Sequence, residues 1–226
     1  QEVHLKPRRD GETLKRFEVQ QGDIFMADRG YAHPGGISHV ARQGGDVLVR
    51  LNLVTLPLYE PGAKQRVDIL AHARTLAPGQ ASDWAVTVRP KDEPLIRGRL
   101  CVVRKTAQAA AKARERVRRE SQRNASELQP ETLEAADYVL VFTTLGQQVS
   151  AEQVLELYRL RWQIELEFKR LKSLMDLGHL KKHDEQAARS WLQGKLLVAL
   201  ITSSLIAHAE RVSPWGFDID ALARAA

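Results

Sequence analysis

Apolar residues follow two rhythms along this chain of 226 residues. Short continuous runs rich in β-branched and aromatic side chains, such as DIFMA (23–27), DVLVRL (46–51) and DYVLVFTTL (137–145), predict buried strands. PGGISHVARQGG (34–45) between the first two predicts one short helix, and the Asp-Gly of RRDGET (8–13), set between EVHL and LKRFEV, predicts a hairpin. From 52 to 136 proline and glycine interrupt the pattern, in LPLYEPGAK, LAPGQASDW and RPKDEP. Strand candidates there are RVDILA, DWAVTV and GRLCVV, followed by an Ala- and Arg-rich helix at 107–124. The helical rhythm then dominates. Ser150 and Gln153 form a capping box opening a helix that runs to about 176, where DLGHL breaks it. A last helix spans 184–212.

Strands separated by helix-length connections predict an α/β sheet. We divide the chain into residues 1–51 and 137–226, two parts of one α/β domain, with 52–136 inserted between them as a β-rich subdomain carrying a basic helix.

Composition narrows the chemistry. A single cysteine, Cys101, rules out an internal disulfide and a Cys-rich zinc site, which fits a reducing cytoplasm. A net charge of +6 favours an anionic partner, most often nucleic acid. The most apolar run, LLVALITSSLIA (196–207), is too short to span a bilayer and holds hydroxyls; a core helix explains it, and no membrane partner is expected. No apolar signal segment opens the chain, and without an initiator methionine it reads as a fragment or processed piece.

The stretch LYRLRWQIELEFKRLK (157–172) carries the densest pattern. At about 100° per residue with Tyr158 as zero, Arg161, Glu165 and Lys172 fall within roughly 60° of it. Leu157, Leu160, Ile164, Phe168, Leu171 and Met175 occupy the neighbouring arc and form the expected core stripe, while Glu167 and Lys169 project elsewhere. Two readings of Glu165 stand. It supports the helix through an i,i+4 pair with Arg161, or it is one carboxylate of a metal site. Two Mg²⁺ ions about 4 Å apart need carboxylates converging from different elements. Asp28, closing the DIFMA strand just before Gly30, is placed to be another.

Tyr158, Arg161, Glu165 and Lys172 reproduce the pattern Y-x2-R-x3-E-x6-K, and ADRGY surrounds Asp28. This resembles the signature of the bacterial insertion-sequence transposases of the DDE superfamily, in the branch named for those four residues, with ADRGY similar to the segment bearing the family's second catalytic Asp. The resemblance extends over essentially the whole chain and implies a ribonuclease H-like fold with an insertion before the glutamate helix. It implies catalytic, metal-holding roles for Asp28 and Glu165, with Mg²⁺ or Mn²⁺ as cofactor. Arg161 and Lys172 would grip DNA phosphates, and Tyr158 would hydrogen-bond a phosphate or stack on a base. Tyr138 occupies roughly the place of an aromatic on which some relatives stack a flipped base, or else is a core strand residue. The implied reaction is cleavage at transposon ends and strand transfer to target DNA. Its partners are double-stranded DNA, at terminal repeats and target, and a second copy in a synaptic complex, within a bacterial cytoplasm and nucleoid.

The family also needs an earlier Asp, and only Asp10 and Asp23 precede Asp28. Neither is suitably placed, so the first catalytic Asp is expected before residue 1. Arg116 and Arg119, on the basic helix, are candidates for sequence-independent contact with the DNA backbone, or else a solvated face. His179 and His183 are four apart, but Gly178 interrupts them and no carboxylate completes a zinc motif; Trp84, Trp191 and Trp215 receive no role. Two other readings stay open: another metal-dependent nuclease or resolvase on the same fold, and a truncated or degenerate remnant that binds DNA without catalysis.

Overall fold

A computed structural model describes residues 13–125, 127–174 and 184–212. The chain divides into two compact units, one of residues 9–163 and one of residues 1–8 with 164–226.

The larger unit is built on one mixed sheet of six strands. In chain order these are β1 (Ile24–Ala27), β2 (Asp46–Arg50), β3 (Leu58–Tyr59), β4 (Ala81–Val88), β5 (Ile96–Arg104) and β6 (Tyr138–Thr143). Across the sheet the order is β1-β2-β6-β5-β4-β3, with β1 and β2 parallel and every other pair antiparallel. The crossover from β1 to β2 contains α1 (Pro34–Arg42), as a parallel pair requires. Strands drawn from 52–136 therefore extend the same sheet, joined to β2 through β6.

Both faces of the central strands are covered, which is why they read as unbroken apolar runs. Val47 and Val49, Leu100 and Val102, and Leu140 and Phe142 face one side, where α1 and α2 (Ile69–Arg74) cover them with Ile37, Val40, Ile69, Leu70 and Ala73. The residues between them, Leu48, Cys101 and Val141, face the other side and meet the start of α5 (Ala151–Leu174) through Ala151, Val154, Leu155 and Tyr158. Burial pushes the Cys101 thiol up to about 12, so this cysteine is an inert core residue.

Several expectations need correction. The LKRFEV half of the proposed hairpin is no strand: Leu14–Arg16 form a 3-10 turn capped by the Thr13 hydroxyl, with Leu14 buried as its anchor; the EVHL half lies outside the described residues. RVDILA is helical from Ile69, because the Asp68 carboxylate accepts from Ala71 N and caps the first turn. Of the core stripe expected on α5, Leu157 packs against the core, and the side chains of Ile164, Phe168, Leu171 and Met175 lie outside the described residues. Leu160 is exposed, and Tyr158 points into the core instead, because the helix docks through its first two turns at spacing 151, 154, 155, 158. The aliphatic positions farther along had set the phase.

The basic segment forms α3 (Ala107–Arg123), and a short α4 (Pro130–Ala135) that the pattern did not predict leads into β6. In the smaller unit α6 (Glu185–Val212) starts after Asp184, whose carboxylate accepts from Ala187 N. Leu197, Leu200 and Leu205 on α6 are exposed, not core as expected for this run. Among the described residues this unit has no strand. No helix of the described residues is long and apolar enough to cross a membrane.

One contact fixes the central register tightly. A Cβ on Gly98 would lie 2.6 Å from the Phe142 ring and 2.6 Å from the Thr143 carbonyl, and neither can retreat within the sheet. Gly98→Ala should lower folding stability by about 1–3 kcal/mol, read by urea unfolding. Unchanged stability would show that β5 and β6 do not pack this closely.

Candidate functional site

The site is assembled where β1 and β2 end and α5 rises past them. Ser150 starts the helix as expected: its hydroxyl accepts from Gln153 N at 3.2 Å while the Gln153 side chain accepts from Ser150 N at 2.8 Å. Two turns later the helix delivers Tyr158, only 5% exposed, and Arg161, whose guanidinium lies 5.2 Å from the centre of the Tyr158 ring. The Tyr158 hydroxyl is buried beside the Arg161 guanidinium and makes no well-formed hydrogen bond among the described residues. Burial pushes its phenol up, against the pull of the Arg161 and Arg50 guanidiniums; the carboxylate of Asp28 adds a small push in the same direction as burial.

Asp28 follows directly on β1. Its Oδ1 accepts from Gly30 N at 2.8 Å and so caps the 3-10 turn Arg29–Tyr31, which fixes the carboxylate at the strand end. The structure thus brings three of the expected residues, Asp28, Tyr158 and Arg161, into one electrostatic neighbourhood.

It also adds residues that the pattern reading missed. Arg50 ends β2 and is lowered from its ordinary pKa first by burial, then by the nearby charges of Arg29, Arg161 and Arg116. Lys105, just past β5, donates through Nζ to the Ala136 carbonyl. Burial, with Arg50 and Arg29 close by, lowers it to about 8. Half-buried cations gathered this way repel one another, and an anion among them would relieve the repulsion. Only their position at the ends of apolar strands hinted at Arg50 and Lys105, and charged strand ends are commonplace.

Tyr138 begins β6 and is 4% exposed, packed in the core. It also lines a cavity of about 180 Å³ with Arg29, Arg50, Asn52, Val117 and Leu140. One wall of this cavity is therefore cationic and another apolar, a combination that suits a nucleotide. Arg116 and Arg119 lie on the exposed side of α3, where they pair with Glu120 and Glu115 respectively. Such exposed i,i+4 pairs are weak and exchange readily for phosphate contacts.

Glu165 and Lys172 lie on α5 in the smaller unit. Lys172 is exposed, and the side chain of Glu165 lies outside the described residues, as do His179 and His183. Among the described residues no three His, Cys, Asp or Glu side chains are grouped to hold a metal. The donor chemistry at Asp28 is a lone carboxylate with one oxygen engaged by backbone, which suits a hard cation completed by further oxygen ligands.

Comparison with known proteins bears on this arrangement. A model of the family described as "Transposase DDE domain" matches residues 8–201. The transposase for insertion sequence element IS421 of Escherichia coli is 35% identical over 211 residues, covering 91% of this chain and 57% of its own. The transposase for IS231F of Bacillus thuringiensis subsp. israelensis is 27% identical, over 82% of this chain and 42% of its own. The transposase for IS1151 of Clostridium perfringens is 23% identical, over 86% and 44%. The chain thus spans about half the length of these relatives. No solved structure matches.

The lowered lysine gives this site a pH signature. Below about pH 8 Lys105 is charged whether the chain is folded or not; between about 8 and its ordinary 10.5 only the unfolded chain keeps the proton. Stability should therefore rise with pH across that window, and Lys105→Met should flatten the rise in a denaturant series. An equal slope in both proteins would place Lys105 in open solvent.

Proposed function

Because the chain belongs to the transposase DDE domain family, we propose that it forms part of the catalytic region of an insertion-sequence transposase. The full protein would cut double-stranded DNA at the terminal repeats of a mobile element and join the freed end to target DNA, working as a dimer on two paired ends. The observation that carries this reading is the convergence of Tyr158, Arg161 and Arg50 beside Asp28, an anion-seeking cluster at the end of a parallel strand pair.

In this reading the fold is ribonuclease H-like, with 1–51 and 137–226 as its two parts and 52–136 as the insertion. Asp28 and Glu165 would hold the metal, Mg²⁺ or Mn²⁺, with a third carboxylate from outside the described residues. When bound, that metal supplies activation of the attacking oxygen and stabilisation of the leaving one. The chain's own groups set the geometry. Arg161 and Arg50 grip the phosphate oxygens by the scissile bond, and the planar forks of these guanidiniums fix its orientation. The Tyr158 hydroxyl, buried beside Arg161, donates to the same phosphate. Lys172 adds a contact farther along the helix, Arg116 and Arg119 follow the DNA backbone, and Tyr138 offers a ring to an unstacked base.

A second reading is a remnant that binds DNA without cutting it. The cationic cluster around Arg50, Arg161 and Lys105 would serve that role with or without a metal.

The two separate in a full-length protein. Asp28→Asn and Glu165→Gln should each abolish Mg²⁺-dependent cleavage of transposon-end DNA while leaving its binding within a few-fold of wild type. Arg50→Ala and Arg161→Ala should weaken binding and each reduce the slope of log affinity against log salt by about 0.9. Binding without cleavage in the wild-type full-length protein would leave the remnant reading. Cleavage that survives both carboxylate changes would remove Asp28 and Glu165 from the chemistry.

A further inference from the structure

Arg99 lies in the middle of β5, where a charge is unexpected. It pairs in register with Thr143 of β6 and Ala85 of β4, and it is 6% exposed. Its neighbours on the same side of β5 face α5 rather than α1, as Cys101 does. The guanidinium is nearly saturated. Nε donates to the Leu145 carbonyl at 3.1 Å, and Nη2 donates to the carbonyls of Gly146 at 2.9 Å and Val149 at 2.7 Å. Nη1 donates to Asp83 Oδ2 at 2.8 Å, which balances the buried charge.

The three carbonyls belong to the turn that leaves β6 and launches α5. The Leu145 carbonyl is buried and would be costly to leave unsatisfied, while Gly146 is exposed and its carbonyl also accepts from Val149 N, so the guanidinium ties the whole turn to the sheet. The turn sets more than its own shape. A helix started one residue early or late is rotated by about 100° at every later position. Such a shift would turn Tyr158 and Arg161 away from Arg50 and Asp28.

We propose that Arg99 is a positioning residue of the candidate site: by clamping the 145–149 turn it sets the phase and height of α5, and so seats Tyr158 and Arg161. Its bearing on catalysis rests on the function proposed above, whereas the seating of Tyr158 does not. Lysine cannot substitute, since one ammonium has three donors and no planar fork to reach three carbonyls and a carboxylate together.

The test uses the full-length protein with 3-fluorotyrosine incorporated, the Tyr158 fluorine signal being assigned by its loss in Tyr158→Phe. Arg99→Lys, Arg99→Gln and Asp83→Asn are compared with Val40→Ala, a core change on the opposite sheet face that controls for lost stability. The Arg99 variants should move the Tyr158 signal and bring its titration back toward that of an ordinary phenol. They should also raise amide exchange at 149–155 at least tenfold and weaken binding of transposon-end DNA at least tenfold. Val40→Ala, even with a larger fall in Tm, should leave the Tyr158 titration in place, and Asp83→Asn should fall between. A folded Arg99→Lys protein with an unmoved Tyr158 signal and unchanged exchange would overturn the proposal, as would equal changes in Val40→Ala. If Arg99→Gln fails to fold, Arg99→Lys and Asp83→Asn still decide it. A displaced Tyr158 with unaltered DNA binding would uphold the positioning role and count against the function proposed for the site.

Discussion

The docking of the first two turns of α5 on the sheet is the contact on which the site depends. Ala151, Val154, Leu155 and Tyr158 press onto Leu48, Cys101 and Val141. Burying Val154 and Leu155 contributes about 1.5–3 kcal/mol each, enough to hold one helical phase against its neighbours. That phase turns a buried phenol and a guanidinium toward the ends of β1 and β2. Without it Asp28, Arg50 and Arg161 would be unrelated charges on separate elements.

The electrostatics follow from that placement. Arg50 and Lys105 are both lowered first by burial and then by neighbouring cations, so the fold accepts unfavourable like-charge contact in this region. Cationic repulsion of this kind persists when another requirement outweighs it, and a polyanionic ligand is the natural counterpart. The cavity beside Tyr138 shares Arg29 and Arg50 with this cluster, so a phosphate and its attached base could be held by adjoining walls.

Much of this was legible in the sequence, and the failures have identifiable causes. The strands β2, β5 and β6 were visible because strands covered on both faces give unbroken apolar runs, and the edge strand β1 because its run is short, apolar and closed by Asp28. The Ser150–Gln153 box marked the start of α5 because its two hydrogen bonds are local. RVDILA was misread because an Asp cap outweighs a short β-branched run. Leu160 was misplaced because helical periodicity gives the relative angles of residues but not which direction is inward; the sheet decides that. Spacing on one helix found Tyr158 and Arg161. Arg50, Lys105 and Arg99 were missed because their importance arises from partners dozens of residues away, which no local pattern records.

We propose that one hard cation is held by both Asp28, which follows β1, and Glu165, on α5. Iron-directed backbone cleavage tests it most directly. Fe²⁺ replaces Mg²⁺ in the full-length protein with transposon-end DNA, and ascorbate and peroxide generate radicals at the bound metal. The account predicts cuts next to residue 28 and next to residue 165 together, both suppressed by excess Mg²⁺ and both lost in either Asp28→Asn or Glu165→Gln. Cuts near only one of these positions, or cuts at 165 that survive Asp28→Asn, would contradict it.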